Sequence, residues 1–151
     1  MDSKLIAGVL ITPQKRILNP KGDILHAMKC SSAGYVGFGE AYFSIVHPGV
    51  IKGWKRHRSA TLNLIVPVGL VRFVIYDDRP QSSSVGQFID VNIGEENHVR
   101  LTVSPGLWVA FTGISEGLNM LLNISSEEHD PAEADNIELD AIPFGWKNYE
   151  H

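Results

Sequence analysis

The chain has 151 residues, a formal net charge of −4 and a hydrophobic fraction of 44%. A length of this order is typical of one domain around one core, so residues 1–151 are predicted to form a single domain. The acidic balance argues against a broadly basic surface for nucleic acid, and no apolar run approaches the ~20 residues of a membrane-spanning helix.

Cysteine usage gives a prediction about the compartment. Cys30 is the only cysteine, so no intramolecular disulfide can form and nothing indicates an oxidising environment. We therefore expect a cytoplasmic protein in which Cys30 is a small buried side chain. The short apolar run near the start follows an acidic residue, which favours a strand over a secretion signal.

Short apolar runs rich in Val, Ile, Leu and Phe alternate with Gly, Pro, Asn, Asp and Ser clusters, a pattern typical of an all-β sandwich or barrel. The predicted strands are Leu5–Ile11, Ile24–Lys29, Ala41–Val46, Val50–Lys55, Leu62–Val68, Leu70–Tyr76, Phe88–Ile93, His98–Val103, Trp108–Phe111 and Leu118–Ile124.

Two segments depart from this pattern. Pro67 interrupts an apolar run, which predicts a sheet edge or a bulge there, because proline donates no backbone hydrogen bond. The segment 125–134 has room for one acidic turn but lacks the apolar stripe of a longer helix. The tail 130–151 is acidic and then aromatic, and we expect Phe144 and Trp146 to pack on the sheets.

The stretch Gly49–Gly69 resembles a cupin signature in its spacing. In metal-binding cupins, two histidines and a carboxylate stand where this chain has Lys55, His57 and Leu62. A further histidine position of that pattern is Val109. One histidine alone binds a divalent ion poorly, so we predict no metal here.

From about residue 21 to 146 the chain resembles the dTDP-4-dehydrorhamnose 3,5-epimerase family of cupin-type sugar-nucleotide epimerases and isomerases. The resemblance is carried by five segments in order: GVIKGW (49–54), VIYDDRPQSSSVGQF (74–88), SPGLWVAF (104–111), EEHDP (127–131) and IPFGW (142–146). It implies an all-β, cupin-type jelly-roll β-barrel that forms a homodimer. It also implies a nucleoside-diphosphate 4-keto sugar as ligand and catalysis without a cofactor.

The family's catalytic positions have changed residue type. In that family a histidine oriented by an aspartate removes a proton next to the sugar ketone, and a tyrosine on the opposite side donates one. By the resemblance, the histidine falls on Lys55 and the tyrosine on His129. A second pocket tyrosine falls on Asn123, and Lys52 keeps a cation where the family has arginine.

Strand alternation places Lys55 and His57 on one face and Lys52, Arg56 and Arg58 on the other. Cupin geometry would turn the first pair inward, where Lys55 would act as a base or electrophile beside His57. The alternative is a solvated strand end whose charges protect a sheet edge. Both interpretations remain open for Lys55 and His57.

Other candidates carry two interpretations each. His129 could transfer protons near neutrality, or be an exposed histidine in an acidic loop. Glu40 and Tyr42 share a face and could contact the sugar, the carboxylate pairing with Lys55 or His57. Arg72 could clamp a diphosphate together with Lys52, or form an ordinary ion pair.

Trp108, like Trp54, could line a sugar or base site, or fill the core. The hypothesis is an isomerase acting on a nucleoside-diphosphate 4-keto-6-deoxyhexose in surface polysaccharide biosynthesis. Its proton-handling residues would be Lys55, His57 and His129. The alternative is a non-catalytic cupin that serves as a binding module or partner subunit.

Overall fold

The computed structural model describes residues 6–146, which are almost wholly β structure. The two helical elements of this part of the chain are single 3-10 turns, Pro131–Glu133 and Leu139–Ala141. The strands, in chain order, are β1 (Val9–Pro13), β2 (Arg16–Ile17), β3 (Ile24–Leu25), β4 (Glu40–Ile45), β5 (Ile51–His57), β6 (Leu62–Val68), β7 (Leu70–Tyr76), β8 (Phe88–Gly94), β9 (Val99–Val103), β10 (Trp108–Gly113), β11 (Met120–Ser125) and β12 (Ala134–Asn136).

Ten of these strands form two five-stranded antiparallel sheets. The first sheet has the order β1-β9-β6-β11-β4, and the second has the order β12-β5-β10-β7-β8. The strands β2 and β3 form a separate hairpin. The cupin-type jelly roll is confirmed, but its sheets do not close into a barrel in the part of the chain that the structure describes.

The core lies between the two sheets. Its buried side chains come from both, including Leu64 and Leu101 of the first sheet and Phe73, Ile75 and Ile93 of the second. Strand alternation explains this arrangement, because every second residue of a strand points to the same face. The intervening residues of β7 and β10 therefore point to the outer face of the second sheet.

The chain crosses from the first sheet to the second at Gly69. This residue adopts φ +85°, a left-handed conformation that favours glycine. A Cβ atom there would lie 2.4 Å from the carbonyl oxygen of Leu118, so the close approach also requires glycine. Just before it, β6 shifts register against β11 between Val68 and Ile65, which is the bulge expected at Pro67.

Most predicted strands coincide with observed ones, and Leu62–Val68 and Leu70–Tyr76 agree at both ends. The predicted strand Ile24–Lys29 is shortened to two residues, and the first strand begins at Val9. Leu5, where that strand was expected to begin, lies outside the described residues. The expectation that Cys30 is buried is wrong, since its side chain is exposed in the loop before β4.

The segment after β12 covers the outer face of the second sheet. Phe144 and Trp146 pack there with Trp54, Val74 and Ala110 in a second apolar cluster. The indole nitrogen of Trp54 donates to the carbonyl oxygen of Leu139 at 3.0 Å. Residues 147–151 of the predicted tail lie outside the described part. No helix within residues 6–146 has the length and apolar character needed to cross a membrane.

Candidate functional site

A cavity of about 300 Å³ opens between the two sheets. Its floor is apolar, and its polar side chains come from β4, β5, β11 and β12. The lining residues are Tyr42, Ser44, Lys52, Gly53, Lys55, His57, Leu62, Leu64, Val109, Phe111, Leu121, Asn123 and Asn136. A cleft with an apolar floor and a few convergent polar groups is typical of a small-molecule site.

The basic side chains among the lining residues all come from strand β5. They are Lys52, Lys55 and His57. The expectation that Lys52 faces away from the other two is wrong. Opposite β10, Val109 pairs with Lys55 while Phe111 pairs with Lys52, so β5 carries one extra residue and bulges between them. The bulge turns Lys52 to the cavity side. Gly53 fits at the bulge because a Cβ there would lie 2.6 Å from the Cβ of Ala110.

His57 is held by a carboxylate that the sequence did not indicate. Its Nδ1 lies 2.7 Å from Oε1 of Glu133, and both side chains are largely buried. The other carboxylate oxygen accepts the backbone N–H groups of Ser59 and Ala60 at 2.9 and 2.8 Å. Burial alone would raise the pKa of Glu133, but these hydrogen bonds outweigh it and lower the pKa to about 2.

The segment that carries Glu133 is fixed against β5. Asp130 caps the 3-10 turn by accepting the N–H of Ala132, and β12 then pairs with β5 from Ala134 to Asn136. Asp135 accepts hydrogen bonds from Arg58 and Arg56, which lower its pKa. The sequence signal for this segment was the Asp-Pro turn at 130–131, but turn chemistry does not reveal which strand the turn approaches.

The wall opposite β5 belongs to the first sheet. Asn123 of β11 donates through Nδ2 to the hydroxyl oxygen of Tyr42 on β4, at 3.0 Å. Burial raises the pKa of Tyr42, and the nearby charge of Glu40 adds to that effect against the opposing hydrogen bond. Oδ1 of Asn123 is buried and has no hydrogen-bond partner among the described residues. A buried acceptor of this kind is ready for a donor on a ligand.

Lys52 spans the cavity between the two sheets. Its Nζ donates to the carbonyl oxygen of Ile45 at 2.9 Å and to Oγ of Ser44 at 3.3 Å. The same ammonium stands 5.9 Å from the ring centre of Phe111. Lys55 lies two residues from His57 on the same wall. Lys55 thus places positive charge on the wall that carries His57, while the ammonium group of Lys52 lies against β4 on the opposite wall.

Arg72 does not reach this cavity. It lies on the outer face of β7, where its guanidinium donates to both oxygens of Asp90 at 2.9 and 2.8 Å. Phe144 and Trp146 cover it, with ring centres 5.3 and 5.1 Å from its Cζ. Of the two interpretations of Arg72, the ordinary ion pair is therefore the one that applies. Successive residues of β7 point to opposite faces of the sheet, and Arg72 is one of those that point outward.

Three further candidates also stand apart from the cavity lining. Trp108 is buried on the outer face of the second sheet, where its indole donates to Asp78 at 2.9 Å and its ring underlies Arg56. Glu40 lies at the beginning of β4, opposite Ser125 in the register, and is not among the lining residues. His129 is exposed in the loop between β11 and the 3-10 turn.

No metal-ligand cluster of three or more His, Cys, Asp or Glu residues occurs within residues 6–146. At the positions where metal-binding cupins have ligands, Leu62 and Val109 contribute aliphatic surface to the cavity. The site therefore offers an imidazole–carboxylate pair, two ammonium groups, a phenol and an amide around an apolar floor. These groups suit proton transfer and the stabilisation of negative charge.

Known proteins resemble this chain in architecture and in sequence. A crystal structure of a dTDP sugar isomerase from Desulfovibrio desulfuricans superposes with a TM-score of 0.91 at 31% identity, covering 96% of this chain and 94% of that one. The probable low-salt glycan biosynthesis epimerase Agl13 of Haloferax volcanii is 29% identical over 105 residues. That match spans 69% of this chain but 65%, less than two thirds, of the Haloferax protein.

A relative of similar length is the spore coat polysaccharide biosynthesis protein SpsL of Bacillus subtilis. It is 26% identical over 146 residues, which are 94% of this chain and 97% of SpsL. The sequence pattern of the dTDP-4-dehydrorhamnose 3,5-epimerase family matches residues 4–149, nearly the whole chain. Together with the fold, this match shows that the chain belongs to the dTDP-4-dehydrorhamnose 3,5-epimerase family.

Proposed function

We propose that the protein is an isomerase that epimerises a nucleoside-diphosphate 4-keto-6-deoxyhexose. The observation that carries the proposal is the pairing of His57 with Glu133 beside Lys55 in the cavity between the two sheets. Family membership and the names of the relatives, an epimerase and a sugar isomerase among them, support the same reaction class.

The chemistry follows from the side chains. Glu133 is ionised at neutral pH and accepts the Nδ1 proton of His57, which leaves Nε2 as the basic nitrogen of the neutral ring. That nitrogen takes the proton from the carbon next to the sugar ketone. The ammonium group of Lys55 stabilises the resulting enolate by its charge, which is worth more in an apolar cavity than in water.

The remaining polar groups have roles in binding. Lys52 is the candidate contact for the diphosphate, because it carries a charge at the cavity and can exchange its backbone acceptor for a phosphate oxygen. Asn123 is the candidate contact for a sugar hydroxyl, which would satisfy the buried Oδ1 atom. Arg72, Trp108, Glu40 and His129 are omitted from the proposed site because they do not line the cavity.

The biological setting and assembly are part of the proposal. The relatives named for glycan and spore coat polysaccharide biosynthesis favour a role in building surface polysaccharide, and lipopolysaccharide is the product that we propose within that class. A cytoplasmic location agrees with the single cysteine. A homodimer is supported by β4, an edge strand on which Phe43 and Ile45 are 63% and 48% exposed and do not line the cavity.

A second candidate is a binding module without catalysis. It is favoured by Lys55 and Val109, which occupy positions where, by resemblance, the family has histidines. In that case the cavity would hold a nucleotide sugar without removing a proton. The two candidates differ in one observable, the exchange of carbon-bound hydrogen with solvent.

The deciding experiment is incubation of the protein with dTDP-4-keto-6-deoxyglucose in deuterium oxide, followed by proton NMR and mass spectrometry. The isomerase predicts deuterium at a carbon next to the ketone and a change of configuration there. His57→Asn should abolish the exchange, while the exposed-loop variant Lys21→Met should retain it.

Thermal shift with the same nucleotide sugar separates the remaining outcomes. Stabilisation by the ligand without any exchange favours the binding module over the isomerase. If the protein shows neither exchange nor stabilisation, both candidates are wrong for this class of sugar nucleotide.

A further inference from the structure

The proton donor of the proposed reaction needs a position opposite His57. Inversion at a carbon requires that the proton leaves from one face and returns to the other. His57 stands on β5 in the second sheet, and the cavity is closed on its other side by β4 and β11 of the first sheet. A donor must therefore come from these two strands.

His129, the position of the donor by family resemblance, does not meet this requirement. It is exposed in the loop after β11 and does not line the cavity. Asn123 lines the cavity, but an amide N–H is far too weak an acid to protonate an enolate. On β4, Ser44 already interacts with the ammonium of Lys52.

Tyr42 is the remaining acidic group on that wall. Its hydroxyl oxygen accepts a hydrogen bond from Asn123, so the hydroxyl hydrogen itself is available to a ligand in the cavity. The phenol is half-buried. An ordinary tyrosine is already protonated at neutral pH, and burial raises the pKa of Tyr42 further. The hydrogen bond from Asn123 also stabilises the oxygen when it becomes negative.

We propose that Tyr42, supported by Asn123, is the catalytic proton donor and protonates the enolate from the face opposite His57. The inference rests on the proposed epimerase function. His57 Nε2 takes the proton, and the electron pair of the C–H bond passes into the enolate. The Tyr42 O–H bond then breaks, its proton joins the same carbon, and its electron pair remains on the phenolate. Solvent reprotonates Tyr42 and deprotonates His57, so no co-reactant is consumed.

The experiment measures two rates in deuterium oxide with dTDP-4-keto-6-deoxyglucose. One is deuterium incorporation into recovered sugar of unchanged configuration, and the other is formation of the epimer. General acid catalysis contributes about 10²–10⁴-fold. For Tyr42→Phe we expect epimer formation to fall at least ~100-fold while incorporation with unchanged configuration stays within ~10-fold of wild type, because His57 can return a deuteron to the same face.

Two matched variants accompany it. Tyr76→Phe removes a hydroxyl from a ring that stacks on Phe88 outside the cavity, and both rates should stay within ~2-fold of wild type. His129→Ala removes the family's donor position and should also leave epimer formation within ~2-fold. Near-UV circular dichroism checks that each variant is folded.

Each other outcome overturns the inference. If Tyr42→Phe forms the epimer within ~3-fold of wild type, Tyr42 is not the donor. An equal loss of both rates would mean that Tyr42 positions the sugar instead. A large loss of epimer formation in His129→Ala would transfer the role to His129. If the wild-type protein itself exchanges no hydrogen, the proposed function fails first, and the donor assignment fails with it.

Discussion

Nδ1 of His57 lies 2.7 Å from Oε1 of Glu133, although the two residues are 76 positions apart in the sequence. The carboxylate is fixed by two backbone N–H groups of the loop that follows β5, so it can orient the imidazole without moving itself. An imidazole held in this way keeps one tautomer, and its ring keeps one orientation in the cavity.

Replacement of Glu133 by Gln should reduce turnover more than binding. The amide keeps the shape of the side chain but does not stabilise the imidazolium that forms during proton removal. We expect the exchange rate at saturating substrate to fall ~100-fold or more, with KM changed less than ~3-fold. Glu128→Gln, an exposed neighbour in the same acidic loop, is the control. Equal activity in the two variants would contradict a role for Glu133.

Glu133 should also make stability depend on pH in the acid range. Its pKa in the folded protein is about 2, against an ordinary value of 4.5. Because the folded value is the lower one, the stabilisation is complete above about pH 5 and is lost as the pH falls towards 2. A shift of this size corresponds to roughly 3 kcal/mol.

Urea unfolding at pH 6, 4 and 3 measures this contribution. The free energy of unfolding of wild type should decline more steeply towards acid than that of Glu133→Gln, and the two curves should converge. Parallel curves would show that the carboxylate has the same affinity for protons in the folded and unfolded chain.

Lys55→Met should weaken catalysis by removing the charge that faces the enolate. The methionine side chain keeps most of the volume of the lysine at a position that lines the cavity and is paired with Val109 in the sheet, so the fold should persist. We expect the exchange rate to fall about 10²–10³-fold, which is the usual range for loss of one charge-stabilising group. The measurement is the rate of deuterium incorporation, with Lys21→Met as the control variant. An unchanged rate would remove Lys55 from the mechanism.

Arg72→Met should affect stability and leave ligand binding unchanged. Asp90 would lose both hydrogen bonds from the guanidinium, which in a largely buried pair costs roughly 3 kcal/mol. Ligand affinity at a temperature where the variant is folded should remain within ~2-fold, as measured by calorimetry with the nucleotide sugar. A marked loss of affinity would place Arg72 at the diphosphate after all.

Gly53→Ala tests the bulge that turns Lys52 into the cavity. The added methyl would meet the Cβ of Ala110 at 2.6 Å, so β5 or β10 must shift, at a cost of roughly 1–3 kcal/mol. Gly117→Ala is the matched control, since a Cβ there meets nothing within 4 Å. The thermal unfolding midpoint of Gly53→Ala should be lower than that of Gly117→Ala. Equal midpoints would contradict the close contact at Gly53.

The sequence by itself determined the all-β class, most strand positions and the fact that Lys55 and His57 share one face of β5. These are local properties, because the apolar period, the turn residues and the alternation of faces depend on neighbours along the chain. The bulge at Pro67 could be predicted for the same reason, since it follows from the missing N–H of one residue.

Only the tertiary structure decided which partners these residues meet. Glu133 reaches His57 because β12 pairs with β5, and Tyr42 faces His57 because the two sheets pack against each other. The bulge at Gly53 reversed the expected face of Lys52, and the register of β7 placed Arg72 on the outer face. Such contacts depend on sheet pairing across many residues, and one extra residue in a strand inverts every side chain beyond it.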